Sequence, residues 1–178
     1  GFGEMHAGRY LPRLKAALEG ADKERPLFLF LNIADAHRPW QDIPEGLDWV
    51  EGQGTVSFSK NDDDGLWQRY IEGATTAEEE AALLPRLSDV YDYAVYQADL
   101  NLGRSLDWLS QEGWTGPDTR IVVTSDHGEF LGEHRLLDHG HYVYDGNVRV
   151  PFLSVNGPDF LPERLNGLHA YDISLRGG

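Results

Sequence analysis

The residue types most capable of chemistry are concentrated in residues 122–145, VVTSDHGEFLGEHRLLDHGHYVYD, which hold four of the seven histidines. A β-branched run opens this stretch, so Asp126 and His127 stand at the predicted carboxyl end of a buried strand. Ligands of open α/β sheets bind at that end. A carboxylate beside an imidazole, followed by a glycine that relaxes the backbone, can give two ligands to one divalent cation. The pattern predicts a metal site at Asp126 and His127.

A second predicted strand end carries related chemistry. Residues 26–40, PLFLFLNIADAHRPW, begin with a continuous apolar run between two prolines, which is typical of a strand buried on both faces. The run ends in Asp35 and His37. If both strands belong to one parallel sheet, their carboxyl ends bring these groups to the same edge.

Simpler explanations than a metal or catalytic site also fit these residues. A single histidine is more often solvated or hydrogen-bonded than bound to metal, and the group His134, His139 and His141 also fits a polar surface loop. The adjacent Ser-Asp-His of residues 125–127 is not a catalytic triad, because neighbours on an extended chain point apart. HGEFLGEH lacks the spacing that places two zinc-binding histidines one helical turn apart.

Composition excludes several classes of partner and chemistry. The chain has 178 residues, 15 basic and 30 acidic, for a net charge of -15, which works against binding to nucleic acid or an anionic membrane. The absence of cysteine excludes disulfides, thiolate metal sites and a thiol nucleophile. No apolar stretch reaches the roughly 18 residues that a membrane span needs.

Hydrophobic periodicity predicts the elements that position these groups. Leucines after Tyr10 recur at helical spacing until Gly20. Residues 75–113 carry the strongest helical pattern, with a capping box expected at Thr76 and a break at Pro85. Residues 41–75 lack a sustained period and are predicted to form a long loop or insertion.

Two further apolar runs, RIVVTS and RVPFLSV, follow the long helical segment and predict strands. The order strand, helix, strand is typical of a parallel α/β domain.

Three blocks of the chain together resemble the sulfatase family of the alkaline phosphatase superfamily. They are PLFLFLNIADAHRPW, YQADLNLGRSLDWL and IVVTSDHGEFLGEHRLLDHGHYVYDGNVRVPFL, which span about Pro26 to Leu153 in the family's order. The resemblance implies an α/β fold with an alkaline-phosphatase-like, largely parallel sheet and helices on both faces. Residues 1–178 would then form a single partial domain of this kind.

The resemblance also implies roles for individual residues. Asp126 and His127 match two metal ligands, and His37 matches the histidine that contacts the ester oxyanion or assists the leaving group. Many relatives have a lysine where this chain offers His139 and His141, so one of these imidazoles is expected to supply the positive charge, with His141 slightly favoured. The implied cofactor is one divalent cation, calcium by family, with manganese or zinc left open by the imidazole ligand.

The chain also departs from the family. It contains neither the Cys-x-Pro-x-Arg or Ser-x-Pro-x-Arg signature that yields the formylglycine nucleophile nor the pair of metal-binding carboxylates that precedes it. We therefore expect the chain to be the later part of a longer enzyme, to lack the upstream formylglycine, and to show no sulfatase turnover alone.

The expected function of the parent protein is metal-dependent hydrolysis of a small-molecule or carbohydrate sulfate ester. Two alternatives stay open. One is a phosphodiesterase, phosphonate monoester hydrolase or phosphoglycerol transferase of the same superfamily, and the other is a non-catalytic, sulfatase-like module that binds a metal or an anion.

Overall fold

The structure, a computed structural model, describes residues 9–44, 65–140, 142–156 and 171–172. The chain divides into two compact units, residues 1–112 and 113–178. Within the described ranges, no helix is both long enough and apolar enough to cross a membrane. The single partial domain predicted for residues 1–178 stays a prediction.

The described residues of the first unit form three helices: α1 (Tyr10–Leu18), α2 (Leu66–Ile71) and α3 (Ala77–Gln111). Helix α1 confirms the predicted periodicity, since Leu14 and Leu18 are buried and the helix packs against α3. The chain turns away at Gly20, whose φ of 72° is the left-handed conformation that glycine adopts without strain.

Helix α3 begins with the predicted capping box. The hydroxyl of Thr76 accepts the N–H of Glu79 at 3.2 Å, and the Glu79 carboxylate accepts the N–H of Thr76 at 2.9 Å. The predicted break at Pro85 is wrong, because Pro85 lies inside α3, which is one continuous helix of 35 residues. Leu83 and Leu87, on either side of the proline, are completely buried, and this packing offsets the backbone hydrogen bond that proline removes.

The strand predicted within residues 26–40 is not formed. Residues 26–34 lie in no helix or strand, and the side chains of Phe28 and Phe30 are 90% and 78% exposed. A continuous apolar run fits a buried strand only if neighbouring strands cover it, and the sequence pattern specifies no such neighbour.

Part of the segment predicted as a long loop is helical. Helix α2 lies within residues 41–75, and its Trp67 and Tyr70 are buried in the core of the first unit. Residues 45–64 lie outside the described part of the chain, so the loop or insertion stays a prediction.

In its described part, the second unit contains β1 (Ile121–Thr124), β2 (Phe130–Leu131), β3 (Leu137–Asp138), α4 (Asp145–Val148), β4 (Phe152–Val155) and β5 (Tyr171–Asp172). Strands β1, β4 and β5 form one sheet in that order, and β2 and β3 form a separate antiparallel pair. The two runs predicted as strands are confirmed as β1 and β4.

The largely parallel sheet is not confirmed in these residues. Strand β1 pairs antiparallel with β4, with Ile121 opposite Val155, whereas β4 and β5 are parallel. The connection between β1 and β4 contains the β2–β3 pair and the short helix α4 instead of a long crossover helix. Parallel neighbours need a crossover, whereas antiparallel neighbours accept other connections.

Candidate functional site

The segment between β1 and β4 brings most of the predicted site residues into one unit. Strand β1 leads directly to Asp126 and His127, and the β2–β3 pair follows. In that pair Phe130 lies opposite Asp138. One step further along the antiparallel register, Glu129 and His139 face each other. Phe130 and Leu137 are buried, so each strand of the pair has an apolar side chain that anchors it next to the polar residues.

Gly128 has a different role from the one predicted. Its φ is not in the left-handed region. A Cβ atom built on Gly128 would lie 2.2 Å from the carbonyl oxygen of Gly146. The Gly128 N–H also donates to the carbonyl of Asn147 at 2.8 Å. The glycine is therefore needed for close approach of two backbone segments, which fixes the position of the preceding His127.

Asp126 and His127 have a geometry that fits a shared cation. The ring Nδ1 of His127 lies 2.8 Å from the Gly128 carbonyl, which can only accept, so Nδ1 carries the proton and Nε2 presents a lone pair. Nε2 is 3.8 Å from Oδ1 of Asp126. Calcium–oxygen distances of about 2.3–2.6 Å let two ligands of one ion lie up to about 5 Å apart. The Asp126 side chain is 88% exposed.

Next to this pair, Glu129, Asp138 and His139 form a second group. Nδ1 of His139 lies 3.2 Å from Oε2 of Glu129 and 3.1 Å from Oδ1 of Asp138. Glu129 is only 9% exposed. One potential ligand atom from each residue falls within 4.8 Å of the others, so these three side chains also form a candidate metal group.

The two groups touch through stacked imidazoles. The ring centroids of His127 and His139 are 4.0 Å apart, with an interplanar angle of 26°. The structure thus joins two residues that sequence analysis predicted separately, one as a metal ligand and one as a source of positive charge. His141, the slightly favoured alternative for the second role, lies outside the described residues.

Backbone strain is concentrated in the same segment. His134, Arg135 and Asp138 have φ values of 55°, 59° and 79°, which are unfavourable for residues with a Cβ. Strained non-glycine residues cluster at functional sites when the surrounding structure holds them. The ring of His134 also stacks on Tyr144, with centroids 4.2 Å apart.

Glu129 and Asp138 were not predicted as catalytic or metal-binding residues from the sequence. Glu129 stands close to the strand end, but only the register of β2 and β3 brings it opposite His139. The available signal was weak, because each of these strands is two residues long.

His37 belongs to the first unit, in a segment held by two helices. The Ala34 N–H donates to Oη of Tyr10 in α1 at 2.7 Å, and Asn101 of α3 donates to the buried Asp35 at 3.1 Å. The half-buried His37 has Nδ1 2.6 Å from the Arg38 carbonyl, so Nδ1 is the donor. Asp35 therefore anchors the segment, and burial raises the pKa of the neighbouring Tyr10 phenol.

The sulfatase family matches residues 2–170 of the chain. The chain therefore belongs to the sulfatase family, within the alkaline phosphatase superfamily, which confirms the resemblance inferred from its motifs.

Individual relatives cover parts of the chain. An arylsulfatase of Clostridium perfringens (strain 13 / Type A) is 26% identical over 149 residues, which are 76% of this chain and 28% of that protein. The uncharacterized sulfatase YidJ of Escherichia coli (strain K12) is 33% identical over 69 residues, or 36% of this chain and 14% of that protein. The multifunctional alkaline phosphatase superfamily protein PehA of Trinickia caryophylli is 37% identical over 83 residues, or 46% of this chain and 15% of that protein.

The chain thus spans less than a third of the length of each of these relatives. No solved structure matches the chain.

Proposed function

We propose that the protein containing this chain is a metal-dependent hydrolase of sulfate esters, and that the segment from Asp126 to His139 forms its metal- and anion-binding edge. The observation that carries the proposal is the stack of His127 on His139 beside Asp126, in a chain of the sulfatase family. Substrates of this class would be small-molecule or carbohydrate sulfate esters.

Asp126 and His127 are the proposed metal ligands. The Nδ1–H of His127 donates a hydrogen bond to the Gly128 carbonyl, which leaves the lone pair of Nε2 available for ligation. A divalent cation bound there, calcium by family or else manganese or zinc, would polarise a sulfate oxygen and offset its negative charge.

His139 is the proposed second contact to the sulfate. As an imidazolium it would donate Nδ1–H to the carboxylates of Glu129 and Asp138, and Nε2–H to a sulfate oxygen. His141 stays the alternative residue for this role. The described contacts of His139 are the reason to test it first.

His37 is proposed to act on the leaving group. Its Nδ1–H is used by the Arg38 carbonyl, so Nε2 is the atom that would contact the ester oxygen or deliver a proton to it. When the S–O bond breaks, that oxygen leaves as an alcohol or phenol with the transferred proton. The formylglycine nucleophile would come from outside these 178 residues, in a complete domain with the largely parallel sheet of the family.

The metal assignment is tested by titration calorimetry of the chain with calcium, manganese and zinc. We expect a site that disappears in the double variant Asp126→Ala, His127→Ala. The variant Asp118→Ala, which removes an exposed carboxylate elsewhere in the second unit, should leave binding unchanged. Tight binding that survives the double variant would refute the assignment.

The substrate class is tested on the longer protein that is expected to contain the chain together with the formylglycine region. We expect 4-nitrophenyl sulfate to be preferred over bis(4-nitrophenyl) phosphate, and the separate 178-residue chain to hydrolyse neither. A phosphodiesterase, phosphonate monoester hydrolase or phosphoglycerol transferase stays the second candidate class, and the similarity to a protein named as a multifunctional member of the alkaline phosphatase superfamily is consistent with it. A preference for the phosphate diester by several orders of magnitude in kcat/KM would make that class the function. Absence of hydrolysis of every ester would favour the non-catalytic module.

A further inference from the structure

We propose that Glu129 is a positioning residue, which holds the His139 ring against His127 so that the ring can contact the anionic group of the substrate. The assignment of an anion-binding role to His139 rests on the proposed function. The contact between Glu129 and His139 does not.

The burial of Glu129 is the first reason. A carboxylate that is only 9% exposed loses hydration, and this is unfavourable unless polar partners replace the water. Both of its oxygens lie near Nδ1 of His139, at 3.2 and 3.4 Å. The carboxylate is therefore placed where a donor N–H of the imidazole compensates for its desolvation.

The register of the β2–β3 pair is the second reason. Because Phe130 pairs with Asp138, Glu129 and His139 emerge from opposite strands at the same level. The side chains of Phe130 in one strand and Leu137 in the other are both buried, so packing on both strands supports that register. The pairing of the two strands therefore places the Glu129 carboxylate beside the His139 imidazole, and this placement does not depend on flexible surface side chains.

The His139 ring is also constrained from other directions. Asp138 lies 3.1 Å from Nδ1, and the flat face of His127 stacks on the ring at 4.0 Å between centroids. A ring held by carboxylates at Nδ1 and by a stacked neighbour has little rotational freedom. Its Nε2 is then the nitrogen that the proposed function assigns to the sulfate.

A metal held by Glu129, Asp138 and His139 is the competing arrangement. The two arrangements exclude each other, because a hydrogen bond to a carboxylate needs a proton on Nδ1, whereas a metal needs its lone pair. The separations of 3.1 and 3.2 Å from Nδ1 are ordinary hydrogen-bond lengths.

The first test uses the 178-residue chain and needs no turnover. Proton NMR should show cross-ring NOEs between His127 and His139. We expect Glu129→Gln to weaken these NOEs strongly and Glu129→Asp to retain them. Glu133→Gln is the matched control, since it removes the same negative charge from a neighbouring carboxylate, whose described hydrogen bond at 2.8 Å is with the Leu131 N–H. NOEs that persist unchanged in Glu129→Gln would overturn the proposal.

The second test measures kinetics of the longer protein with its best ester, whether sulfate or phosphate. Loss of a partner that orients a histidine costs about 10- to 100-fold in activity, so we expect Glu129→Gln to lower kcat by about tenfold with little change in melting temperature. Glu129→Asp should recover part of that loss. In a His139→Ala background, Glu129→Gln should change kcat by less than about twofold, because the residue that it positions is gone.

The outcomes distinguish failure of the proposed substrate class from failure of the positioning role of Glu129. A preference for phosphate esters refutes the proposed substrate class but leaves the kinetic coupling between Glu129 and His139 measurable. Additive effects of Glu129→Gln and His139→Ala would overturn the positioning role. The positioning role would also be overturned by zinc or calcium binding that is lost in both Glu129→Gln and Asp138→Asn but kept in Asp126→Ala. If the longer protein hydrolyses no ester, the NOE comparison alone decides the contact.

Discussion

Gly128 is the residue through which the backbone controls the geometry of the site. Its missing side chain lets the segment after β1 approach the α4 backbone, where a Cβ would lie 2.2 Å from the Gly146 carbonyl oxygen. That contact positions the adjacent His127, whose ring in turn stacks on His139. Gly128, which has no side chain, is therefore essential for the arrangement of the His127 and His139 rings.

We expect Gly128→Ala to destabilise the second unit by about 1–3 kcal/mol, because an extra methyl in a close-packed position must displace its neighbours. The obstacle is backbone, which cannot move aside as a flexible side chain can. Urea unfolding of wild type and variant measures the loss. Gly116→Ala is the control, since a Cβ there meets nothing within 4 Å. Equal stability of the two variants would contradict the packing argument.

For individual residues, type and position in the sequence were enough to propose part of the candidate site. Asp126 and His127 could be proposed because ionisable groups that follow a β-branched run stand out in the sequence, whereas His139 was proposed through the resemblance to the sulfatase family. Glu129 and Asp138 could not, because their meeting with His139 depends on the register of two strands of two residues each. Periodicity carries almost no information over so short a length.

At the scale of elements, local signals were the reliable ones. Helices α1 and α3 and the cap at Thr76 follow from interactions within a few residues, and all three are present. The wrong predictions depend on tertiary contacts. Helix α3 passes through Pro85 because buried leucines flank it, and the apolar run of residues 26–34 does not pair. The antiparallel direction of β4 against β1 likewise depends on a connection that the local pattern did not reveal.

The cap of α3 gives a pH-dependent prediction. Hydrogen bonding to the Thr76 N–H, with further help from Arg69, lowers the pKa of Glu79 below its ordinary value of 4.5. A carboxylate with a lowered folded-state pKa stabilises the fold above its unfolded pKa, and the contribution is lost as pH falls through the folded pKa. We expect Glu79→Gln to be less stable than wild type at pH 7, with the difference becoming smaller at pH 3.

Urea unfolding at both pH values measures this difference. Glu78→Gln, also in the first turn of α3, is the matched control and should show a smaller effect at pH 7. A difference between Glu79→Gln and wild type that is the same at both pH values would contradict the assignment of the cap to the ionised carboxylate.

For the whole molecule, charge and exposed apolar surface act in opposite directions. The net charge of -15 makes copies of the chain repel each other. Phe28 and Phe30 lie two residues apart in a segment without helix or strand, and both are strongly exposed. Exposed apolar groups close together in the chain favour association once the repulsion is screened.

We therefore expect the 178-residue chain to associate more as salt rises, because the Debye length falls from roughly 14 Å at 50 mM to about 3 Å at 1 M salt. Sedimentation velocity at these two concentrations measures the change. The double variant Phe28→Ser, Phe30→Ser should remain largely monomeric at 1 M, whereas Val95→Ser, which changes a single exposed valine of α3, should associate like wild type. If the double variant associates as strongly as wild type, the self-association does not arise from this segment.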